Sequence, residues 1–219
     1  MAGSPGHPGG GQPGGQPGGG QPGGQPGGPG RAEISRRAIL QAARELFSER
    51  GYAATSVADI VARAGTSVGL PYYHFGSKRQ IFLTLWKEYQ VAQEYTVGVA
   101  LDRLRRRGVS GPQLLLAGSR AYLGGAWQAR DILPMVHGCD TPSGFDAVMR
   151  QTDDRWLGRN RALLAGYDAD LVRGATVLFN GGLRAVCREF PRCRDEAEAG
   201  RLSEDALLVF AGLLSGLRS

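Results

Sequence analysis

From Ile34 to Arg50 the apolar residues fall at helical spacing, with Ile39, Ala42, Ala43, Leu46 and Phe47 on one stripe of a helix. Gly51 supplies the stop, as a left-handed C-terminal cap. A second start follows at once. Thr55 and Ser56 offer N-cap hydroxyls, and Ser56 with Asp59 three residues on has the form of a capping box. Val57, Ile60, Val61 and Ala64 then give a compact second helix that Gly65 ends. Only Thr66 and Ser67 precede the next run, so Ser67 is expected to cap a third helix from Val68 to about His74. Ser77 is the expected cap of a fourth helix, which begins Lys78-Arg79-Gln80-Ile81-Phe82 and carries Leu85, Trp86 and Tyr89 on to about Tyr95.

Helical patterning continues over Leu101 to Arg107, Pro112 to Arg130, Phe145 to Leu164, Asp170 to Phe190 and Leu202 to Leu217, with Gly, Pro or Asp between the runs. No alternating strand with turn chemistry competes, so the fold class is all-α. The stretch from Asp131 to Gly144, DILPMVHGCDTPSG, is expected to be irregular.

Two short helices joined by a tight Gly-containing turn make a helix-turn-helix unit, whose second helix enters the major groove of DNA. Its exposed positions would be Ser67, Val68, Leu70 and Pro71, followed by Tyr72, Tyr73 and His74. Such a set has little capacity for bidentate hydrogen bonds to bases, so apolar contacts with thymine methyl groups and shape readout should carry much of the specificity. Phe75 and one of the two tyrosines are expected in the small core, and the other tyrosine and His74 as phosphate donors. Lys78, at a helix N-terminus with free amides, is expected to clamp phosphate. Thr55 and Ser56, at the start of the second helix, complete the candidate DNA-contacting set. Pro71 falls at the end of the first turn if Ser67 is the cap, where its missing N–H costs at most one hydrogen bond.

Charge sharpens this picture. The net charge is +6, and residues 31–80 hold eight of the 26 Lys/Arg against four of the 20 Asp/Glu. Positive potential is thus concentrated in the candidate reading head, as a polyanion-binding module requires. Residues 1–30 contain almost nothing but Gly, Pro and Gln and have no strict Gly-X-Y period, so a solvated, disordered extension is expected there. Apolar runs such as Leu114 to Gly118 fall far short of a membrane span, and the N-terminus lacks the pattern of a signal peptide, so a cytoplasmic location is expected. Cys139, Cys187 and Cys193 fit neither a disulfide framework nor CxxC metal spacing, and no cofactor is expected.

The stretch from Ala38 to Phe82 resembles the DNA-binding domain of the TetR family along its whole length. The resemblance is carried by the first helix ending in Phe47, the Gly51-Tyr52 pair, TSVADIVARAG in the second helix and, most specifically, YYHFGSK after it. Thr66 and Pro71 depart from the family, whose members more often carry valine and leucine there. The resemblance implies a DNA-binding domain over 31–80 and a helical effector-binding and dimerisation domain over 81–219. It also implies a homodimer through the last two helices, with Ala175, Leu178, Phe179, Gly182, Leu183 and Val186 facing Leu207, Leu208, Ala211, Leu214 and Leu217. Gly181, Gly182 and Gly212 would permit close approach. The middle helices would enclose an effector pocket. Aromatic richness suggests Trp86, Tyr89, Tyr122, Trp127, Met149, Trp156 and Phe179 as its lining, with His137 and Asp140 as polar tips and Asp131 to Gly144 as a gate.

The expected function is that of a repressor released from a palindromic double-stranded operator by a small apolar or aromatic effector; an activator of the same fold is the alternative. Catalysis is a poor rival, because the only histidines are His7, His74 and His137 and neither HExxH nor a Walker loop occurs. A non-specific architectural protein is a second rival, disfavoured by the modest charge and the large, nearly neutral C-terminal part.

Overall fold

The computed structural model describes residues 30–216, and the tail expectation for residues 1–29 lies outside them, as does Leu217. Nine α-helices are found among the described residues: α1 (Arg31–Arg50), α2 (Val57–Ala64), α3 (Gly69–Phe75), α4 (Lys78–Arg105), α5 (Pro112–Gln128), α6 (Leu133–His137), α7 (Phe145–Leu163), α8 (Ala169–Glu189) and α9 (Glu196–Ser215).

The stripe read from α1 is the buried one, with Ile39, Ala42, Ala43, Leu46 and Phe47 all in the core. Gly51 ends the helix with a positive φ of 87°, but its ψ of 171° makes it an extended exit and not the expected left-handed cap. Gly65, at φ 62° and ψ 35°, is left-handed and ends α2. The capping box on α2 is complete: the Ser56 side chain accepts from the Asp59 amide and the Asp59 carboxylate accepts from the Ser56 amide. Ser77 caps α4 by accepting from the Gln80 amide at 3.2 Å.

Two boundaries differ from the sequence expectation. Helix α3 begins at Gly69 after Val68, without a side-chain cap, and Ser67 instead offers its carbonyl to the Leu70 amide at 3.1 Å. The later start puts Pro71 third in the helix, where no amide has an intrahelical partner, so the proline costs no hydrogen bond. Helix α4 does not stop near Tyr95. It runs through Gly98 to Arg105 as one element of 28 residues, about 42 Å long at 1.5 Å per residue. The stretch taken as irregular contains the short helix α6, and α9 starts earlier than Leu202, at Glu196 behind the Asp195 cap.

Helix α5 lies at the centre of the larger part of the molecule, packed against α4, α7, α8 and α9. One continuous core runs from Ile39 and Phe47 in the N-terminal helices through Phe82, Trp86 and Phe145 to Phe179, Leu207 and Phe210. Close approach of α8 and α9 depends on Gly182, since a Cβ there would stand 2.5 Å from Cζ of Phe210.

The faces expected at a dimer interface are divided. Phe179, Leu183, Val186, Leu207 and Leu214 are buried within this subunit, so those side chains serve its own core. Leu178 and Leu208 point outward, accompanied by Leu171 and Val177 on α8 and by Val209 and Leu213 on α9. Among the described residues no helix is long and apolar enough to cross a membrane.

Candidate nucleic-acid interface and sensor cavity

Helices α1, α2 and α3 form a small head seated on the start of α4. Its aromatic closure is a triangle: Phe47 and Tyr52 at 5.6 Å, Phe47 and Phe82 at 5.8 Å, Tyr52 and Phe82 at 5.4 Å. On the outer surface, Val68, Tyr72 and Tyr73 stand in solvent, with Tyr72 54% and Tyr73 79% exposed. Both tyrosines are therefore outside the core, where one had been expected inside. Phe75 packs half-buried against the core, as expected.

Several candidate DNA contacts are engaged within the head. Thr55 is 1% exposed, and its hydroxyl donates to the carbonyls of Leu46 and Gly51, so it joins α1 to α2 and cannot reach a phosphate. Pro71 is buried, and Leu70 is half-buried against the core. Ser56 is exposed, but its hydroxyl is used by the capping box, donating to the Asp59 carboxylate at 2.7 Å and accepting from the Asp59 amide at 3.1 Å. Hydrogen bonds from the Ser56 hydroxyl and the Ser56 amide, with the Arg50 guanidinium nearby, hold the Asp59 carboxyl down at about 2. Ser67 remains exposed. His74 is half-buried, with Nε2 3.0 Å from the Ser35 hydroxyl, which anchors α3 to α1.

Lys78 is the clearest reassignment. Its Nζ donates to the carbonyls of Tyr52 and Thr55, each at 2.8 Å, and lies 4.1 Å from the centre of the Tyr52 ring. The ammonium thus closes the α1–α2 turn in place of the expected phosphate clamp. Replacing Lys78 with methionine should lower stability by about 1.5–3 kcal/mol, the range for hydrogen bonds to a charged group. A urea titration checks this. Unchanged stability with a shallower salt dependence of DNA binding would restore Lys78 to the phosphate contacts.

Other cations of the head are also committed. Arg36 pairs with Glu88, Arg37 with Glu33, Arg50 with Asp59, and Arg63 with Glu45 and Glu49. Arg44 makes a two-pronged bridge to Asp131, at 2.6 and 2.7 Å, across the junction with the larger part of the chain. The same junction brings the Asp140 carboxylate to the Ala53 amide, at 2.9 and 3.1 Å, and Nε of Arg79 to the Ser143 carbonyl at 3.3 Å. Asp140, expected as a polar tip of the pocket, is a fastener of the head. Gly51 makes this approach possible, since a Cβ there would stand 2.3 Å from the Asp140 carboxylate.

A cavity of about 480 Å³ lies between α4, α5, α7 and α8. Its apolar wall comes from Val97, Leu101, Leu115, Leu163 and Leu183, and its polar groups are Glu94, Arg105, Asp153, Arg159, Asn160, Asn180 and Arg184. Of the expected lining, Tyr122 and Trp156 border this cavity, their rings 6.0 Å apart. The others do not. Trp86 and Tyr89 are core residues beside Phe145 and Gln93, Trp127 packs on Phe190, and Phe179 stacks on Phe210. Met149 is half-buried against the core.

His137 borders a separate hollow with Leu133, Pro134, Arg188 and Arg192. Burial, helped by the Arg184 and Arg188 charges, pushes its imidazole down to about 4, so it is neutral at neutral pH. Beneath the main cavity Gln93 donates to the Tyr89 hydroxyl at 3.0 Å, and burial pushes the Tyr89 phenol up to about 12.

Aromatic content does not mark the polar part of the lining. Its signal in the sequence is periodic: Asp153, Trp156 and Asn160 share one face of α7, and Asn180 and Arg184 one face of α8, within otherwise apolar stripes. Among the described residues no cluster of His, Cys, Asp and Glu could hold a metal ion.

Comparison with known proteins agrees with the head. The family described as bacterial regulatory proteins, tetR family, matches residues 39–85. A transcriptional repressor of the HTH type from Mycobacterium tuberculosis is 56% identical over 52 residues, which are 24% of this chain and 27% of that protein. The matched segment spans about a quarter of the length of these curated relatives. The HTH-type transcriptional regulator BetI 1 of Chromohalobacter salexigens is 24% identical over 193 residues, 84% of this chain and 79% of that one. A TetR-like transcriptional regulator from Rhodococcus sp. RHA1 shares the fold with a TM-score of 0.67 at 21% identity, covering 81% of this chain and 96% of its own. The transcriptional regulator FadR of Bacillus subtilis, solved in complex with stearoyl-CoA, has a TM-score of 0.58 at 18% identity, covering 84% and 100%.

Proposed function

We propose, from the premise that this chain carries a tetR-family regulatory domain at residues 39–85, that it is a sequence-specific DNA-binding repressor, dimeric through α8 and α9 and released from its operator by a small apolar or aromatic effector. The domains would be the head over 31–80 and a sensing and dimerising part over 81–219. The observation that carries the reading is the outer face of α3 and the residue that precedes it: Val68, before the helix, and Tyr72 and Tyr73 on it stand exposed, while its other side is fixed by Pro71, Leu70 and the bond from His74 to Ser35. A soluble monomer has no use for two exposed tyrosines and a valine at one short helix, whereas a major groove does.

In this reading Ser67, Val68, Tyr72 and Tyr73 meet the DNA, the tyrosines through phosphate or base stacking edges and Val68 through thymine methyl groups. The outward apolar row of Leu171, Val177, Leu178, Leu208, Val209 and Leu213 supports a two-fold partner, and two-fold readers require symmetric operators. The cavity beside α4 supports a sensor: its volume and mixed lining are those of small-molecule sites.

Selection from a randomised duplex library by the purified protein tests the reading. An inverted repeat with half-sites separated by about one helical turn, or a multiple of it, is expected. Val68→Thr should change the preferred base at one position of each half-site. Retained sequences without two-fold symmetry would refute the proposed mode of binding.

A further inference from the structure

We propose that the cavity beside α4 takes an amphipathic organic acid, with an aryl or alkyl body against Trp156 and Leu183 and its carboxylate taken by Arg159, while Arg105 further along α4 adds positive potential. This names the effector class for the sensor proposed above and rests on that reading.

Charge is the first argument. Five charged side chains border the cavity, and two of the three arginines face a carboxylate there. Arg184 closes on Asp153, both side chains half-buried, so that pair is neutral within the lining. Arg159 reaches Glu94 only at 3.4 Å, through a pair open to solvent, while its guanidinium lies 5.4 Å from the centre of the Trp156 ring. Arg105 has its carboxylate, Asp102, at 3.5 Å on its own helix and outside the lining. Arg105 and Arg159 are thus held only in long pairs, of the small worth that exposed pairs have. An entering carboxylate finds fork-shaped donors there that can turn to it; an entering cation finds only carboxylates already paired to arginine.

Space is the second argument. Gly98 sits inside the longest helix of the chain, on the face it shares with Glu94, Leu101 and Arg105, and borders the cavity. Glycine weakens a helix interior, and nothing stands within 4 Å of the place its Cβ would occupy. Packing therefore does not require the missing side chain, and the room it leaves belongs to the cavity. Deeper in, the amides of Asn160 and Asn180 bond to each other at 2.7 Å, and each keeps further hydrogen-bonding capacity for a polar substituent.

Calorimetry on the full chain with three probes that share one ring system tests the assignment: naphthylacetate, naphthylethanol and naphthylmethyl-trimethylammonium. The acid should bind about tenfold or more tighter than the alcohol, and the cation most weakly. The double substitution Arg105→Gln and Arg159→Gln should bring the acid down to the alcohol's affinity and leave the alcohol unchanged. Gly98→Met, which fills the room at the helix face, should abolish binding of all three while the helical circular dichroism signal persists. Equal affinities for acid and alcohol, or a preference for the cation, would overturn the assignment. So would acid binding undiminished in a folded Gly98→Met variant, or no heat from any probe at millimolar concentration. If Gly98→Met does not fold, the arginine pair still decides. DNA selection reads none of these quantities, so failure here leaves the regulator reading to its own test.

Discussion

Replacing Phe145 with alanine should lower stability by about 3–5 kcal/mol, the range for truncating a fully buried aromatic residue whose neighbours cannot collapse into the gap. Phe145 is 2% exposed and opens α7. Its ring meets Phe82 edge-on at 5.0 Å and Trp86 at 5.3 Å, both on α4. Phe82 in turn closes the aromatic triangle with Phe47 and Tyr52 in the head. Loss of the ring therefore opens a cavity where head, α4 and α7 meet, walled by rigid aromatic groups. Phe145→Leu should recover most of the loss, because it restores volume without the edge-on contacts. Urea unfolding followed by circular dichroism measures both variants. A loss below about 1 kcal/mol for the alanine variant would show that the site relaxes and that the junction is not held by this ring.

The parts of this architecture that were legible in the sequence are those that local chemistry decides. Ser56 and Asp59 satisfy each other within one turn, Ser77 caps the next amides, and Gly65 takes the left-handed position, so the helix starts and stops of the head follow from short-range rules. Where two local rules compete, reading fails: Ser67 asks to be a cap, Pro71 asks for an early helical position, and the structure satisfies the proline. Hydroxyls and ammonium groups are ambiguous for another reason. Thr55 and Lys78 have the chemistry of phosphate donors, but the turn after α1 leaves carbonyls at Leu46, Gly51, Tyr52 and Thr55 that need donors nearby.

Long-range placements had no signal to read. Asp140 caps the Ala53 amide and Arg44 grips Asp131, each across 87 residues, and neither pair has a spacing that marks it. The cavity lining departs from the aromatic expectation because large aromatic side chains are the best fillers of a core as well as good walls of a pocket. Trp86, Tyr89 and Phe179 were used to fill space. The cavity exists where bulk is missing, at Gly98, and where polar side chains of α7 and α8 join its lining.

Occupancy of that cavity should weaken operator binding by roughly 5- to 150-fold, the span that couplings of about 1–3 kcal/mol produce. Two helices run from the junction with the head to the cavity. Helix α4 starts in the head, where Lys78 holds the Tyr52 and Thr55 carbonyls, and its far half offers Val97, Gly98, Leu101 and Arg105 to the cavity. Helix α7 starts at Phe145, just past the Asp140 and Ser143 contacts with the head, and its later turns carry Asp153, Trp156 and Asn160. A ligand that spreads α4 from α7 must therefore strain the Phe82–Phe145 contact or tilt the head with one of the helices. Packed aromatic junctions respond to such strain by moving as units, because close-packed interiors deform little. Reciprocity then fixes the test: saturating operator must weaken naphthylacetate affinity by the same factor that naphthylacetate weakens operator affinity. Calorimetry with and without operator measures the first, and DNA titration with and without the acid measures the second. Equal ligand affinities in both states would exclude release by this route. Asp140→Ala should keep operator binding and ligand binding each near its own value yet shrink the factor that links them, since it unfastens the head from the segment leading into α7 and leaves both sites intact. A linkage factor unchanged in that variant would assign the coupling to α4 alone.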